Sequence, residues 1–229
     1  MAADLSKIIR EGYDQGVEIR RFLGGVLRQR SDVYGGICLS LCMNWIQLHR
    51  EYHKMGKGEK YRKESMKNRI KGLMCEQVPF SRALNSQSWD YGRAFEKSDA
   101  EDDHLDMIGS KYGMSFKLFK KTSSLQADTR LKEQMLAVNR AHEYAVTVFN
   151  MHTDDGVRGH AICSYKSGGK MFGIGSHLYA FDPNYGEFRV PTGSIVDFYD
   201  ELFKLYKDCG DFPKEPRTYI AKFRAGSYF

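Results

Sequence analysis

The spacing of apolar residues changes part-way along this chain, and that change restricts the folds it can adopt. In the first half, directly after two glycines, five large apolar residues recur at steps of three or four: Ile37, Leu41, Trp45, Leu48 and Tyr52. This spacing is typical of a half-buried helix. Beyond residue 143 the apolar residues alternate with polar ones, which is typical of β-strands. The chain therefore has a helical first half and a sheet-forming second half.

The alternating half is predicted to form five strands and one helix. The predicted strands are 144–149, 160–165, 177–182, 187–190 and 217–223, and the predicted helix is 192–206. Helices that precede a meandering sheet indicate an α+β fold with largely antiparallel pairing. Weaker helical patterns lie near residues 8–19, within 59–97 and over 124–142.

The composition is that of an ordinary globular protein. Of the 229 residues, 41% are hydrophobic and 28% are charged, which excludes wholesale disorder, collagen-like repetition and a coiled-coil rod. No segment approaches the roughly 18–20 uninterrupted apolar residues that a bilayer span needs, so we expect a soluble domain. Five cysteines without a disulfide-like rhythm indicate free thiols in a reducing compartment. They are Cys38, Cys42, Cys75, Cys163 and Cys209.

Two charged clusters mark possible binding surfaces. Residues 54–71 hold eight Lys or Arg and two Glu, so this stretch carries a net charge equal to the +6 of the whole chain. Such a stretch can contact an anionic membrane surface, although a solvated helix face is the commoner explanation. Tyr61 is its one interleaved aromatic residue, so no nucleic-acid binding is expected. The acidic residues between 99 and 106 are a candidate receptor for a basic substrate tail.

Cys38 lies on the opening turn of the best-defined predicted helix, immediately after Gly35, Gly36 and Ile37. A helix N-terminus presents unpaired N–H groups and a partial positive charge, which favour a thiolate. The same N–H groups can stabilise an oxyanion. The alternative is that Cys38 is small core filler, because free cysteines are often buried.

A metal site on this helix is not expected. Cys38 and His53 are fifteen residues apart, which is about 22 Å along a helix, so they cannot bind the same ion. Cys42 is expected in the core, and the remaining cysteines lack a zinc-like spacing. No cofactor is predicted.

His160 and Asp182 are the candidate base and the group that orients it. If strands 160–165 and 177–182 pair antiparallel with His160 opposite Asp182, then Cys163 lies opposite Tyr179. A tighter turn would place His160 near His177 instead. A structural role for His160 is the competing interpretation. A nucleophilic thiol needs such a base and such an orienting group, and the order of Cys, His and Asp along the chain is that of papain.

Three short segments resemble the YopT-type bacterial effector cysteine proteases. Residues 35–38 resemble the nucleophile segment, 158–161 the histidine segment and 181–188 the aspartate segment. The resemblance implies a papain-like fold over residues 35–229, after an N-terminal lead-in at 1–34 that can belong to a longer polypeptide. It also implies Cys38 as nucleophile, His160 as general base and acid, and Asp182 as orienting group. Where papain-like enzymes carry an oxyanion-stabilising amide, this chain has Asp32; Ser31 or backbone N–H groups are the alternatives.

The resemblance implies a thiol endopeptidase that a bacterium secretes into the cytosol of a host cell. Its expected partner is a host protein, such as a lipidated Rho-type GTPase or a kinase, or the chain itself. A glutamine deamidase, transglutaminase or acyltransferase would need the same three residues. A non-catalytic binding module that uses the basic stretch is the third alternative.

Overall fold

We describe a computed structural model of the protein. The structure describes residues 8–22, 37–52, 58–86, 109–124, 143–153, 156–168, 175–209 and 218–228. All statements below refer to these residues.

A seven-stranded antiparallel sheet forms the centre of the fold. Its strands are β1 (Ile9–Glu11), β2 (Met114–Ser124), β3 (Tyr144–Thr153), β4 (Gly156–Lys166), β5 (His177–Asp182), β6 (Gly186–Pro191) and β7 (Thr218–Tyr228). Their order across the sheet is β1-β6-β5-β4-β3-β7-β2. The strands predicted from the alternation are confirmed, while β1 and β2 were not predicted.

Helices cover both faces of this sheet. They are α1 (Gln15–Phe22), α2 (Cys38–Tyr52), α3 (Glu59–Gly72), α4 (Val78–Asn85) and α5 (Ile195–Cys209), with a 3-10 turn at Thr192–Ser194 before α5. Within the described ranges, no helix has the length and apolar character of a membrane span. Of the helix predicted over 124–142, residues 125–142 lie outside the described residues, and residue 124 is the end of β2.

Helix α2 is buried on nearly all sides, whereas its sequence pattern predicts one buried face. It packs on β4 and β5, and it also packs against α3 and α4. Trp45 is fully buried, as are polar residues such as Ser40 and His49. The sheet thus separates two apolar cores, one around α2 and one between the sheet and α5. The mixed helical and antiparallel architecture confirms the predicted α+β class.

The predicted register of β4 against β5 is wrong by two residues. Cys163 lies opposite Phe181, not Tyr179, and the ladder between these strands runs from there to the pair Lys166 and Leu178. The ladder therefore stops before His160. Register is fixed by turn geometry and by burial of one sheet face, and the long connection after β4 gives little local information about either.

The segment before residue 23 packs into the fold at the edge of the sheet. The sequence predicts a helix near residues 8–19, but β1 pairs with β6 and α1 begins only at Gln15. Asp14 is the N-cap of α1. Its carboxylate accepts hydrogen bonds from the N–H groups of Gly16 and Val17, which stabilises the start of the helix. The predicted division of the chain between residues 34 and 35 stays a prediction.

A buried ion pair ties α3 to β6. Arg69 is 1% exposed and Glu187 is 0% exposed. The Arg69 guanidinium donates to both carboxylate oxygens of Glu187 through Nε and Nη2, and the Trp45 indole N–H donates to Oε2 at 2.8 Å. One basic residue of the 54–71 stretch is therefore structural and cannot contribute to a surface charge.

Candidate active site

Cys38 occupies the first position of α2. The N–H of Leu41 donates to the carbonyl of Ile37 at 2.9 Å, so Ile37 caps the helix and Cys38 follows it directly. The first N–H groups of a helix lack intrahelical acceptors and carry a partial positive charge. Cys38 is 7% exposed. The structure thus places its thiol at the helix terminus, as the sequence predicts.

His160 and Asp182 are hydrogen-bonded to each other although their strands are not paired at these residues. His160 Nε2 lies 3.1 Å from Asp182 Oδ1. Both side chains are buried, at 7% and 1% exposure. The alternative that placed His160 near His177 is wrong, because Lys166 pairs with Leu178 and the Ser167 N–H donates to the carbonyl of His177, at the far end of β4 from His160.

Cys38 is among the groups that act on the same imidazole, through a side-chain hydrogen bond and its charge, which associates the three predicted site residues with one another. Burial alone would lower the pKa of His160, but the charge of Asp182, its hydrogen bond and the contact with Cys38 together raise that pKa well above its ordinary value. These contacts therefore favour the protonated imidazolium over the neutral ring. A thiol beside a histidine cation is the arrangement of an activated nucleophile.

Asp182 is held by two further donors that the sequence did not reveal. The backbone N–H of Asn184 donates to Oδ1 at 2.8 Å, and the Tyr206 hydroxyl, from the last turn of α5, donates to Oδ2. The Tyr206 ring also meets the His160 ring edge-on, with centroids 5.8 Å apart. Both carboxylate oxygens thus have donors, which fixes the direction in which Asp182 holds His160.

Cys42, Cys75 and Cys163 make contacts of their own. The Cys42 thiol donates to the carbonyl of Ala161, and the Cys163 thiol donates to the carbonyl of Cys42. Burial is the main cause that raises the pKa of both thiols. Burial also raises the pKa of Cys75 to about 11, with help from the neighbouring Glu76 and Glu18. The prediction of Cys42 as a core residue is confirmed.

One cluster in the described ranges brings possible metal ligands together. Ligand atoms of Glu18, Cys75 and Glu76 lie within 4.8 Å of one another. Glu18 already accepts a hydrogen bond from the backbone N–H of Cys75 at 2.8 Å and pairs with Arg21 at 2.9 Å. These contacts give Glu18 a structural role, and the cluster is separate from Cys38.

The charged clusters are only partly described. Five basic residues of α3 are exposed: Lys60, Arg62, Lys63, Lys67 and Lys71. Their contact with an anionic membrane surface stays a prediction. The acidic cluster at 99–106 lies outside the described residues, as do Ser31, Asp32 and His53.

Comparison with known proteins identifies the family. The peptidase C58 family model, described as the Yersinia/Haemophilus virulence surface antigen, matches residues 11–217. The chain belongs to this YopT-type family of cysteine peptidases. It is a hydrolase of the protease class, and the resemblance found in the three short sequence segments is confirmed. Among curated proteins, no significant sequence match is found.

A solved structure shares the fold of this chain. The crystal structure of the Pseudomonas avirulence protein AvrPphB superposes with a TM-score of 0.59 at 17% identity, covering 86% of this chain and 95% of that chain. A ubiquitin-specific protease of murine cytomegalovirus superposes with a TM-score of 0.49 at 14% identity, covering 97% and 87%. The likeness to AvrPphB confirms the predicted papain-like fold.

Proposed function

We propose that this C58 peptidase is a thiol endopeptidase that uses Cys38 as nucleophile, His160 as general base and acid, and Asp182 as the group that orients His160. The observation that carries the proposal is the meeting of these three side chains at the N-terminus of α2, with His160 Nε2 3.1 Å from Asp182. Because Asp182 occupies Nε2, the other ring nitrogen, Nδ1, is the one that serves the thiol.

Each step of the reaction follows from this arrangement. The Cys38 thiolate attacks the carbonyl carbon of a peptide bond, and the N–H groups at the start of α2 stabilise the oxyanion that forms. His160 then gives its proton to the leaving amine as the C–N bond breaks, which leaves a thioester on Cys38. A water molecule, deprotonated by His160, attacks the thioester, releases the carboxylic acid and regenerates the thiolate and the imidazolium.

The proposed biological role follows from family membership. We propose a bacterial virulence effector or toxin domain that is secreted and acts in the cytosol of a host cell. Its proposed substrate is a host protein, such as a lipidated Rho-type GTPase or a kinase, or the chain itself. The match to a family of virulence antigens supports this role.

Thiol labelling tests the triad without a known substrate. The chain offers a matched internal control, because Cys75 has the same 7% exposure as Cys38 but a raised pKa of about 11. We expect iodoacetamide at mildly acidic pH to alkylate Cys38 much faster than Cys75, and His160→Ala to abolish this selectivity. Equal, slow alkylation of the two thiols would contradict the proposed triad.

Mass spectrometry of candidate substrates tests the reaction class. Backbone cleavage that is lost in Cys38→Ala supports a protease. A mass gain of about one dalton on an intact substrate would instead indicate the deamidase that uses the same three groups.

A further inference from the structure

Gln15, at the start of α1, connects the two halves of the proposed active site. Its side-chain oxygen accepts a hydrogen bond from the backbone N–H of Ile37 at 3.0 Å, and its side-chain nitrogen donates to Asn184 Oδ1 at 2.6 Å. Its backbone N–H donates to the carbonyl of Pro183 at 2.8 Å. Gln15 is 8% exposed, so these bonds are shielded from competing water.

The orientation of the Gln15 amide follows from its partners. The N–H of Ile37 can only donate, so the atom that faces it must be the amide oxygen. The amide nitrogen is then the atom that faces Asn184, whose Oδ1 accepts. Reversing the amide would place a donor against a donor at Ile37. The connection is therefore directional and satisfies both ends at once.

Each end of this connection adjoins a proposed catalytic residue. Ile37 directly precedes Cys38 and caps α2, so its N–H is one of the groups that a helix leaves without an internal acceptor. Asn184 donates its backbone N–H to Asp182 at 2.8 Å. One amide thus spans from the residue before the nucleophile to the turn that carries the orienting acid, and these segments are far apart in the sequence.

We propose that Gln15 is a positioning residue that holds the N-terminus of α2 at a fixed distance from the Asp182 turn, so that the Cys38 thiol meets His160. This inference rests on the proposed triad. The side-chain hydrogen bonds of Gln15 go to Ile37 and Asn184, so it acts on the site through these two residues. A displacement of about 1 Å in such an arrangement can cost about a hundredfold in rate.

Gln15→Met tests the inference, because methionine keeps the length and the apolar stem but removes both side-chain hydrogen bonds. The matched control is Gln47→Met on α2 itself. The side-chain amide of Gln47 also makes two hydrogen bonds, neither of them to a residue of the proposed site. Its nitrogen donates to the carbonyl of Tyr112 at 3.0 Å, and its oxygen accepts from Arg82 at 3.2 Å. Both variants lose the same chemical groups, so they differ in the position of the lost hydrogen bonds and in the burial of the side chain, since Gln47 is only half-buried.

The probe is a peptidyl epoxide, which reports the geometry of the thiol and of the histidine together. The thiolate attacks an epoxide carbon, the C–O bond opens, and His160 protonates the resulting alkoxide. The maximal rate of inactivation, kinact, depends on alignment, while the concentration for half-maximal rate, KI, depends on binding. A merely structural residue would change thermal stability and leave kinact unchanged.

We expect Gln15→Met to lower kinact by about fivefold or more with KI within about twofold, and Gln47→Met to leave both within about twofold. A smaller loss of kinact in Gln15→Met, or an equal loss in the control, overturns the inference. If wild-type protein is not modified at Cys38, the proposed triad itself fails. If wild type is modified but Gln15→Met matches it, only the positioning role fails.

A second variant covers the case in which Gln15→Met does not fold. Asn184→Ala removes the other end of the connection but keeps the backbone N–H that donates to Asp182. We expect Asn184→Ala alone to lower kinact. Where Gln15→Met does fold, the double variant should be no worse than the more impaired single variant, because both substitutions break the same connection. Unchanged kinact in Asn184→Ala, or full additivity in the double variant, overturns the inference.

Discussion

Removing the guanidinium of Arg69 tests how the buried charge of Glu187 is tolerated. Arg69→Met keeps the apolar stem of the side chain but leaves the carboxylate with the Trp45 indole N–H as its donor among the contacts described above. Breaking a buried pair by removing one partner costs about 3–5 kcal/mol. The free energy of unfolding is expected to fall by that amount at pH 7.

The cost of protonating the Glu187 carboxylate gives a second, independent value for this loss of stability. Burial raises this pKa, and Arg69 is the largest influence that lowers it, so without Arg69 the carboxyl is expected to take up a proton. Neutralising a carboxyl of ordinary pKa costs about 3.7 kcal/mol at pH 7, and about 1 kcal/mol at pH 5. The destabilisation caused by Arg69→Met should therefore shrink markedly on acidification.

Urea unfolding at pH 7 and pH 5 measures this effect, and the same helix supplies the control. Lys63 pairs with Glu59 at 3.1 Å on the exposed face of α3, so Lys63→Met should change stability by less than about 0.5 kcal/mol. The double variant Arg69→Met/Glu187→Gln removes the uncompensated charge and should recover stability at pH 7. A loss in Arg69→Met below about 1 kcal/mol, or one independent of pH, would refute the reasoning.

Two further predictions concern the orienting acid and the turn beside it. The raised pKa of His160 means that its imidazolium contributes stability fully below about pH 6.5, a contribution lost as the pH rises through the folded-state value. Asp182→Asn should weaken the pH dependence of stability measured by urea unfolding. It should also move the fall in the rate of epoxide inactivation at high pH to a lower pH. If that fall does not move, Asp182 is not the cause of the raised pKa of His160. Gly186 has φ +109°, and an added Cβ would lie 2.1 Å from the carbonyl oxygen of Glu11. Gly186→Ala should therefore lower the free energy of unfolding by about 1–3 kcal/mol or more. In the control Gly193→Ala the added Cβ meets nothing within 4 Å, so its free energy of unfolding should stay within about 0.5 kcal/mol of that of the wild type. Similar unfolding midpoints for the two variants would disprove the clash at Gly186.

The elements of the fold were predictable where the signal was local. The steps between Ile37 and Tyr52 and the two glycines before them determine where α2 begins, and strand 177–182 was predicted with its observed limits. The extent to which α2 is buried was not predictable, because it depends on packing against α3 and α4 as well as the sheet, and the pattern within α2 does not report these contacts. The strand β1 was missed for a similar reason, since its partner β6 lies far away in the sequence.

The candidate site was predictable as a set of residues but not as a geometry. The segments around Cys38, His160 and Asp182 are recognisable in the sequence, yet the register used to bring His160 to Asp182 was wrong by two residues. Their contact does not depend on that ladder, since the ladder ends at Cys163. The supporting contacts of Gln15 and Tyr206 arise from tertiary packing, and neither residue carries a sequence signal that distinguishes it from its neighbours.

The hydroxyl that supports Asp182 comes from the last turn of α5, three residues before the helix ends at Cys209. Exposed helix termini fray at a small fraction of the global unfolding free energy, but Tyr206 is 1% exposed and belongs to the core between the sheet and α5. The acid is therefore released only when α5 leaves the sheet. On warming, loss of catalysis should then coincide with loss of the circular dichroism signal instead of preceding it.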